Sequence, residues 1–209
     1  MKIINQTWKW LQKPVKPLDI IEVAGRTCYK SEQNITNGSA TKFVNMILDL
    51  GHESVLEHTS ASIRFITNRG VTHELVRHRL ASFSQESTRY VRYSDQLVFI
   101  KPIWWDDPTY PEERKKHWES AMAQAEKLYL LALQQGDKPE QAREILPHAI
   151  KTEIVVTTDL REWRHIFDLR CAKKAHPQIR SLMLDCLHGF AKEIPVIFDE
   201  LVEKYKIMR

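Results

Sequence analysis

Cysteine is scarce in this 209-residue chain: Cys28, Cys171 and Cys186 are the whole complement, an odd number without the paired spacing of a zinc site. Free thiols are therefore expected. No run approaches the ~20 apolar residues needed to cross a bilayer, and Met1-Lys2-Ile3-Ile4-Asn5-Gln6 lacks the apolar core of a secretory signal. Those two absences lead us to expect a soluble, cytoplasmic protein with no membrane partner. A strong excess of one charge is missing too. Lys and Arg number 31 against 27 Asp and Glu, a net +4 that permits anionic ligands but falls short of a nucleic-acid-binding tail. Internal repeats and low-complexity segments are absent, and the length suits one domain, residues 1–209, with a substantial core.

Against this even background, Arg77 to Tyr90 stands out. Fourteen residues carry Arg77, His78, Arg79 and Arg89 together with the hydroxyls of Ser82, Ser84, Ser87 and Thr88. Arginine offers a planar fork of donors that stays charged, and serine adds short rotatable donors, so the set suits phosphoryl oxygens. Each charge-assisted bond contributes roughly 1.5–3 kcal/mol when sheltered. Two cations 4 Å apart repel by about 4 kcal/mol at an effective dielectric of 20, so the cluster implies a nearby anion or a solvated face. Composition leaves both open.

Periodicity organises the rest. Asp19 is placed to cap a helix running to Tyr29, and Ser31 to Gly38 reads as a loop. A second helix starts at Ser39 and stops at Gly51. His58 to Thr67 alternates as a half-buried strand, and Val71 to Leu80 reads as a helix closed by the cationic triplet. Leu97 to Ile103 is a second strand interrupted by Pro102. A long amphipathic helix opens at Pro111 and runs to Gly136, and a short one covers Glu140 to Leu146. Thr152 to Thr158 is either strand or continued helix. Leu160 to Arg170 is helical, and Pro177 to Lys206 is a helix bent at Pro195. The sum is an α+β fold, helix-rich with a small, mostly antiparallel sheet.

Several residues invite chemistry. His73 and His78 look like a zinc motif, but five residues separate them by about 140° around a helix, whereas zinc needs four; no metal is expected. His52 and His58 flank Glu53 and Glu57 without a nearby cysteine. Cys171, beside Arg170, is either a nucleophile favoured by that charge or an ordinary core thiol. Arg77 and Arg79 lie about 200° apart on a helix, and on a strand they share a face with His78 opposite. Neither regular conformation aims all three at one ligand, so the triplet serves two adjoining ligands or two subunits. Arg143, Arg161, His165 and Arg170 form either a further anion site or a salt-bridge face served by Glu162 and Asp168.

Taken together, these segments resemble the flavin-dependent thymidylate synthases, whose signature is Arg-His-Arg, seven residues, then Ser. Here it reads Arg77-His78-Arg79, seven residues, Ser87. Gly51-His52-Glu53-Ser54 with Glu57-His58, Ala142-Arg143 with Leu146-Pro147, Leu160 to His165, Leu169-Arg170 and Ala175 to Arg180 follow in the family's order. The resemblance implies that dUMP is methylated to dTMP, with 5,10-methylenetetrahydrofolate as carbon donor and FADH2, reduced by NADPH, as hydride source. It also implies a homotetramer of the thymidylate synthase-complementing protein-like fold with sites shared between subunits.

Position by position, the resemblance implies that Ser54, Arg77, His78, Arg79, Gln85, Asp159, Arg161 and His165 hold FAD. Glu74, Arg77, Gln85, Glu86, Ser87, Thr88, Arg89, Arg143 and Arg170 would hold dUMP. Arg170 would be catalytic, stabilising charge on the uracil ring as N3 loses its proton, and His52 would position folate. Asp159 stands where asparagine is familiar, Glu74 where glutamine is common, and Gln85 where some members have glutamate. An extra carboxylate near a phosphate or flavin repels it unless paired. Two other classes stay open: an RNA-binding module stacking bases on Phe83, Tyr90 and Tyr93, and a nucleotide sensor that keeps the pocket without the chemistry.

Overall fold

The computed structural model describes residues 1–205; the end of the expected last helix, Lys206, lies outside them. Among the described residues the fold is α+β with a small antiparallel sheet, and no helix is long and apolar enough to cross a membrane. Six strands are present: β1 (Lys2–Ile4), β2 (Thr7–Gln12), β3 (Ser60–Asn68), β4 (Ser82–Gln85), β5 (Val98–Ile100) and β6 (Lys151–Asp159). Eight α-helices accompany them: α1 (Pro17–Tyr29), α2 (Ser39–Asp49), α3 (Arg69–Leu75), α4 (Glu112–Gln134), α5 (Pro139–Ala142), α6 (Leu160–Arg170), α7 (Pro177–Glu193) and α8 (Pro195–Lys204). The larger sheet has the order β2-β3-β6-β4, and β1 pairs in parallel with β5.

Two compact units make up the chain. The first comprises Met1–Trp8, Arg64–Arg77 and Phe83–Val155. Its core is Leu97, Phe99, Tyr129, Leu133, Ala142 and Ile150, where α4 lays one face over β5. The second comprises Lys9–Ile63, His78–Ser82 and, of the described residues, 156–205. It is built on aromatic packing, with Phe190 5.1 Å from Trp163 and 5.0 Å from Phe198 by ring centroids.

Local chemistry explains most elements. In α2, Ala40, Phe43, Val44 and Ile47 are buried at helical spacing, and the chain leaves the helix through Gly51 at φ 70, which costs glycine little. In β6 burial alternates strictly, with Thr152, Ile154, Val156 and Thr158 inward, so β-branching and period two decide for strand over helix.

Other boundaries moved. Helix α1 begins at Pro17, leaving Asp19 inside its first turn rather than at the cap. Helix α3 starts two residues early, because Asn68 accepts the Val71 N–H at 2.9 Å, and it ends at Leu75. The cationic triplet therefore lies in the turn beyond the helix instead of closing it. The expected strand from Leu97 to Ile103 contracts to β5, since Pro102 leads into a 3-10 turn. At Pro195 the expected bend is a break, with Ile194 at φ −138 separating α7 from α8. Strands β1, β2 and β4 were not expected, although Trp8 and Trp10 alternate with Thr7 and Lys9 in β2. In β2 no residue is fully buried, and β4 is Ser-Phe-Ser-Gln, with no apolar alternation to detect.

Candidate active site

The expected nucleotide residues in the first unit fall into two kinds. Gln85 donates to Thr72 Oγ1 at 2.9 Å and Thr152 Oγ1 at 3.3 Å. Glu86 accepts the Tyr93 hydroxyl and Lys151 Nζ, the latter at 2.9 Å. Both are tied into the sheet. Beyond them Ser87 O accepts the N–H groups of Tyr90 and Val91, curling the chain into a turn that buries Thr88.

Arg89 pairs with Glu140 at 3.0 Å and Arg143 with Glu144 at 3.5 Å. Such exposed pairs are worth about 0–1 kcal/mol, so an incoming phosphate displaces them at little cost. Glu74 is half-buried, and Arg77 is exposed with no side-chain partner among the described residues. Tyr93 is no stacking platform: its hydroxyl is bonded to Glu86, its ring lies 6.0 Å from Tyr129, and burial holds its pKa above the ordinary value.

The second unit gathers His78, Arg79, Asp159, Arg161, His165 and Arg170. His78 and Arg79 follow α3 in a turn, while the other four are set by α6, whose first residue is Leu160. Asp159 Oδ1 accepts the Glu162 N–H at 2.8 Å and so caps α6. Its extra carboxylate is thus paired with a helix N-terminus rather than left to repel a ligand. Arg161 pairs with the exposed Glu57, which raises its pKa.

Asp159, Arg161 and His165 line a cavity of about 730 Å³ together with Glu53, Glu57 and Lys204. His52 and Ser54 line a different one of about 710 Å³, floored by Phe43, Met46, Ile47 and Leu50. Ser54 thus lines the second cavity while its neighbour Glu53 lines the first.

At the centre lies His78, only 4 % exposed. Its Nε2 accepts the Arg170 Nε–H at 3.0 Å, its Nδ1 lies 3.3 Å from Glu162 Oε1, and its ring is 5.8 Å from that of the exposed His165. Burial, then the Arg170 charge, then His165 lower its pKa to about 4. Burial raises the Glu162 pKa. Ligand atoms of His78, Glu162 and His165 lie within 4.8 Å of one another, as a metal site would require. The chemistry is otherwise: a guanidinium N–H occupies the Nε2 lone pair, which leaves the proton of the neutral ring on Nδ1 and no nitrogen for a metal. Glu162 was legible only as a salt-bridge partner, because its position three residues after Asp159 also reads as helix capping.

The triplet thus alternates outward, inward, outward: Arg77 and Arg79 are exposed and His78 is buried. Residues 10–196 match the Thy1 family, described as thymidylate synthase complementing protein. The chain belongs to this family. A flavin-dependent thymidylate synthase of Mycobacterium avium is 38% identical over 194 residues, covering 86% of this chain and 77% of that protein. One from Geobacter sulfurreducens is 36% identical over 196 residues, covering 90% and 83%.

Among solved structures, the UMP/dUMP methylase PolB of Streptomyces cacaoi, bound with 5-Br dUMP, superposes with a TM-score of 0.81 at 22% identity, covering 98% of this chain and 97% of that one. Thymidylate Synthase X from Helicobacter pylori, with FAD and dUMP, gives 0.76 at 22% identity, covering 94% and 99%. Both establish the fold.

The family's flavin carries a diphosphate and a flat ring system, and the residues present suit it. In the second unit Arg79 exposes a guanidinium group that no described protein group engages, and His165 offers an exposed imidazole. Arg170 is half-buried in the last turn of α6, next to the buried Cys171. Burial pushes the Cys171 thiol up to about 12, so it stays protonated and unreactive at neutral pH.

Proposed function

We propose that this chain is an FAD-dependent thymidylate synthase that converts dUMP to dTMP, taking carbon from 5,10-methylenetetrahydrofolate and using NADPH as reductant. The observation that carries the reading is Arg170, a half-buried guanidinium held by a directed bond to His78 within a chain that matches the family over residues 10–196. When bound and reduced by NADPH, FAD would supply the hydride, which removes the need for a cysteine nucleophile.

Arg77, Arg79, Arg161 and His165 bind and orient the flavin's anionic and planar parts. Arg161 exchanges Glu57 for phosphate oxygens as it does so. Ser87, Arg89 and Arg143 hold the nucleotide phosphate, with Glu74 and Thr88 shaping the pocket beside it. Arg170 lies against the uracil and stabilises negative charge as N3 loses its proton, an electrostatic effect worth most where water is excluded. His52 positions the folate. Gln85 and Glu86 act from behind, bracing the end of β4 from which the Ser87 turn follows. We read residues 1–209 as one catalytic domain working in a homotetramer with shared sites, which accommodates a triplet whose arginines are exposed while its histidine is buried.

An anaerobic single turnover tests this. The flavin of the purified protein is reduced until its yellow band bleaches, then dUMP and methylenetetrahydrofolate are added. Thymidylate should form as the band returns; return of colour without thymidylate would rule the reading out.

A further inference from the structure

We infer that Glu162 and His78 form a positioning relay that fixes the guanidinium of Arg170, with Glu162 setting the tautomer of His78 and His78 holding Arg170 through Nε. The relay rests on the reading of Arg170 as the catalytic residue.

Glu162 and Arg170 lie on the same helix, eight residues and about 12 Å apart along its axis, and about 80° apart around it. They do not face each other directly. The His78 ring, arriving from the turn after α3, bridges them: Nε2 stands 3.0 Å from Arg170 Nε, and Nδ1 stands 3.3 Å from Glu162 Oε1. The backbone of Glu162 is fixed at the start of α6, since its N–H is bonded to Asp159. Both inner members are nearly closed to solvent, at 4 % for His78 and 6 % for Glu162.

The direction of each bond follows from the donors. Arginine keeps its protons at any working pH, so Nε–H can only donate and Nε2 must present a lone pair. The imidazole proton then sits on Nδ1, where a carboxylate is the matching acceptor. A protonated imidazole would turn donor against donor and place a cation beside a cation. Burial and the Arg170 charge keep the ring neutral down to about pH 4, so the relay is intact throughout the neutral range. The bond to His78 uses the inner guanidinium nitrogen rather than the terminal pair that makes bidentate contacts, so it orients the fork. His78 thereby acquires a duty other than touching flavin.

The test compares three variants of the FAD-loaded protein. His78→Phe keeps a ring without a lone pair, His78→Gln keeps an acceptor, and Glu162→Gln leaves His78 in place but lets an amide N–H face Nδ1. Loss of one buried charge-assisted bond corresponds to about a 10- to 100-fold fall in kcat. That fall is expected for His78→Phe and Glu162→Gln, with the KM for dUMP and the flavin absorbance per chain little changed. His78→Gln should recover most of the lost turnover. A Glu162→Gln enzyme within twofold of wild-type kcat would overturn the relay, whether or not the His78 variants lose flavin. A second readout does not depend on turnover. In ¹⁵N-histidine spectra at neutral pH the His78 resonances, assigned through His78→Gln, should show a protonated Nδ1 and a bare Nε2. The opposite tautomer would overturn the relay even if the protein made no thymidylate.

Discussion

Gly25 lies so close to the ring of Phe43 that a Cβ added to it would stand 2.5 Å from Cζ and 2.6 Å from Cε1. This contact joins α1 to α2, and Phe43 is nearly buried, with the Arg26 guanidinium 4.9 Å from its ring centre. Glycine within a helix costs about 0.5–1 kcal/mol relative to alanine. Overpacking costs about 1–3 kcal/mol. Gly25→Ala should therefore destabilise the protein by about 1–2 kcal/mol despite the better helix former, and adding Phe43→Leu should recover part of the loss. Urea unfolding midpoints decide it; a more stable Gly25→Ala would show that the ring moves freely.

Arg170 and Cys171 are neighbours with opposite expected consequences. Arg170→Ala should lower kcat by about a thousandfold while the flavin band and fold persist. Cys171→Ala should retain turnover within a few-fold of wild type, because burial keeps its thiol protonated. A silent Cys171→Ala enzyme with bound flavin would force a thiol mechanism. Burial also predicts thiol counts with a disulfide reagent: Cys28 alone should react promptly in the native protein, and Cys171 and Cys186 only after denaturation.

The cap at Asp159 separates charge from hydrogen bonding. Asp159→Ala removes the acceptor of the Glu162 N–H and should cost about 1 kcal/mol, whereas Asp159→Asn keeps an acceptor and should cost less than half as much. Thermal unfolding of both variants checks this. Equal losses would mean that the helix start is held by charge alone.

The low pKa of His78 makes stability depend on pH. The unfolded imidazole titrates near its ordinary 6.5 and the folded one near 4, so between those values the unfolded chain binds more protons. Stability should rise with pH across that window, and fall as pH drops through it, by on the order of 3 kcal/mol from this residue. The groups facing the ring, Arg170, His165 and Glu162, remain in His78→Phe, which should flatten that limb. Unfolding free energies at pH 5 and pH 7 for both proteins give the comparison.

Much of this protein was written into local spacing. The runs that became α2, α4 and α6 repeat apolar residues at helical intervals, and β3 alternates, because burying one face imposes its period on the chain; Thr152 to Thr158 stayed open between strand and helix until its alternating burial in β6 decided it. The cationic stretch from Arg77 to Tyr90 carried the family in its residue types and order. Strands β1, β2 and β4 stayed hidden, since a half-exposed or polar strand is held by backbone bonds to partners far along the chain.

What the sequence determined by itself was therefore the elements that announce themselves by period and the side chains that could meet an anion. Tertiary structure alone decided which of those charges are already engaged. Glu86 is consumed by Tyr93 and Lys151, Asp159 by a helix end, and Arg170 by His78, a residue 92 positions away. The physical reason is that pairing and burial are set by distance in space, and a low-dielectric contact between remote residues leaves no periodic trace in the chain.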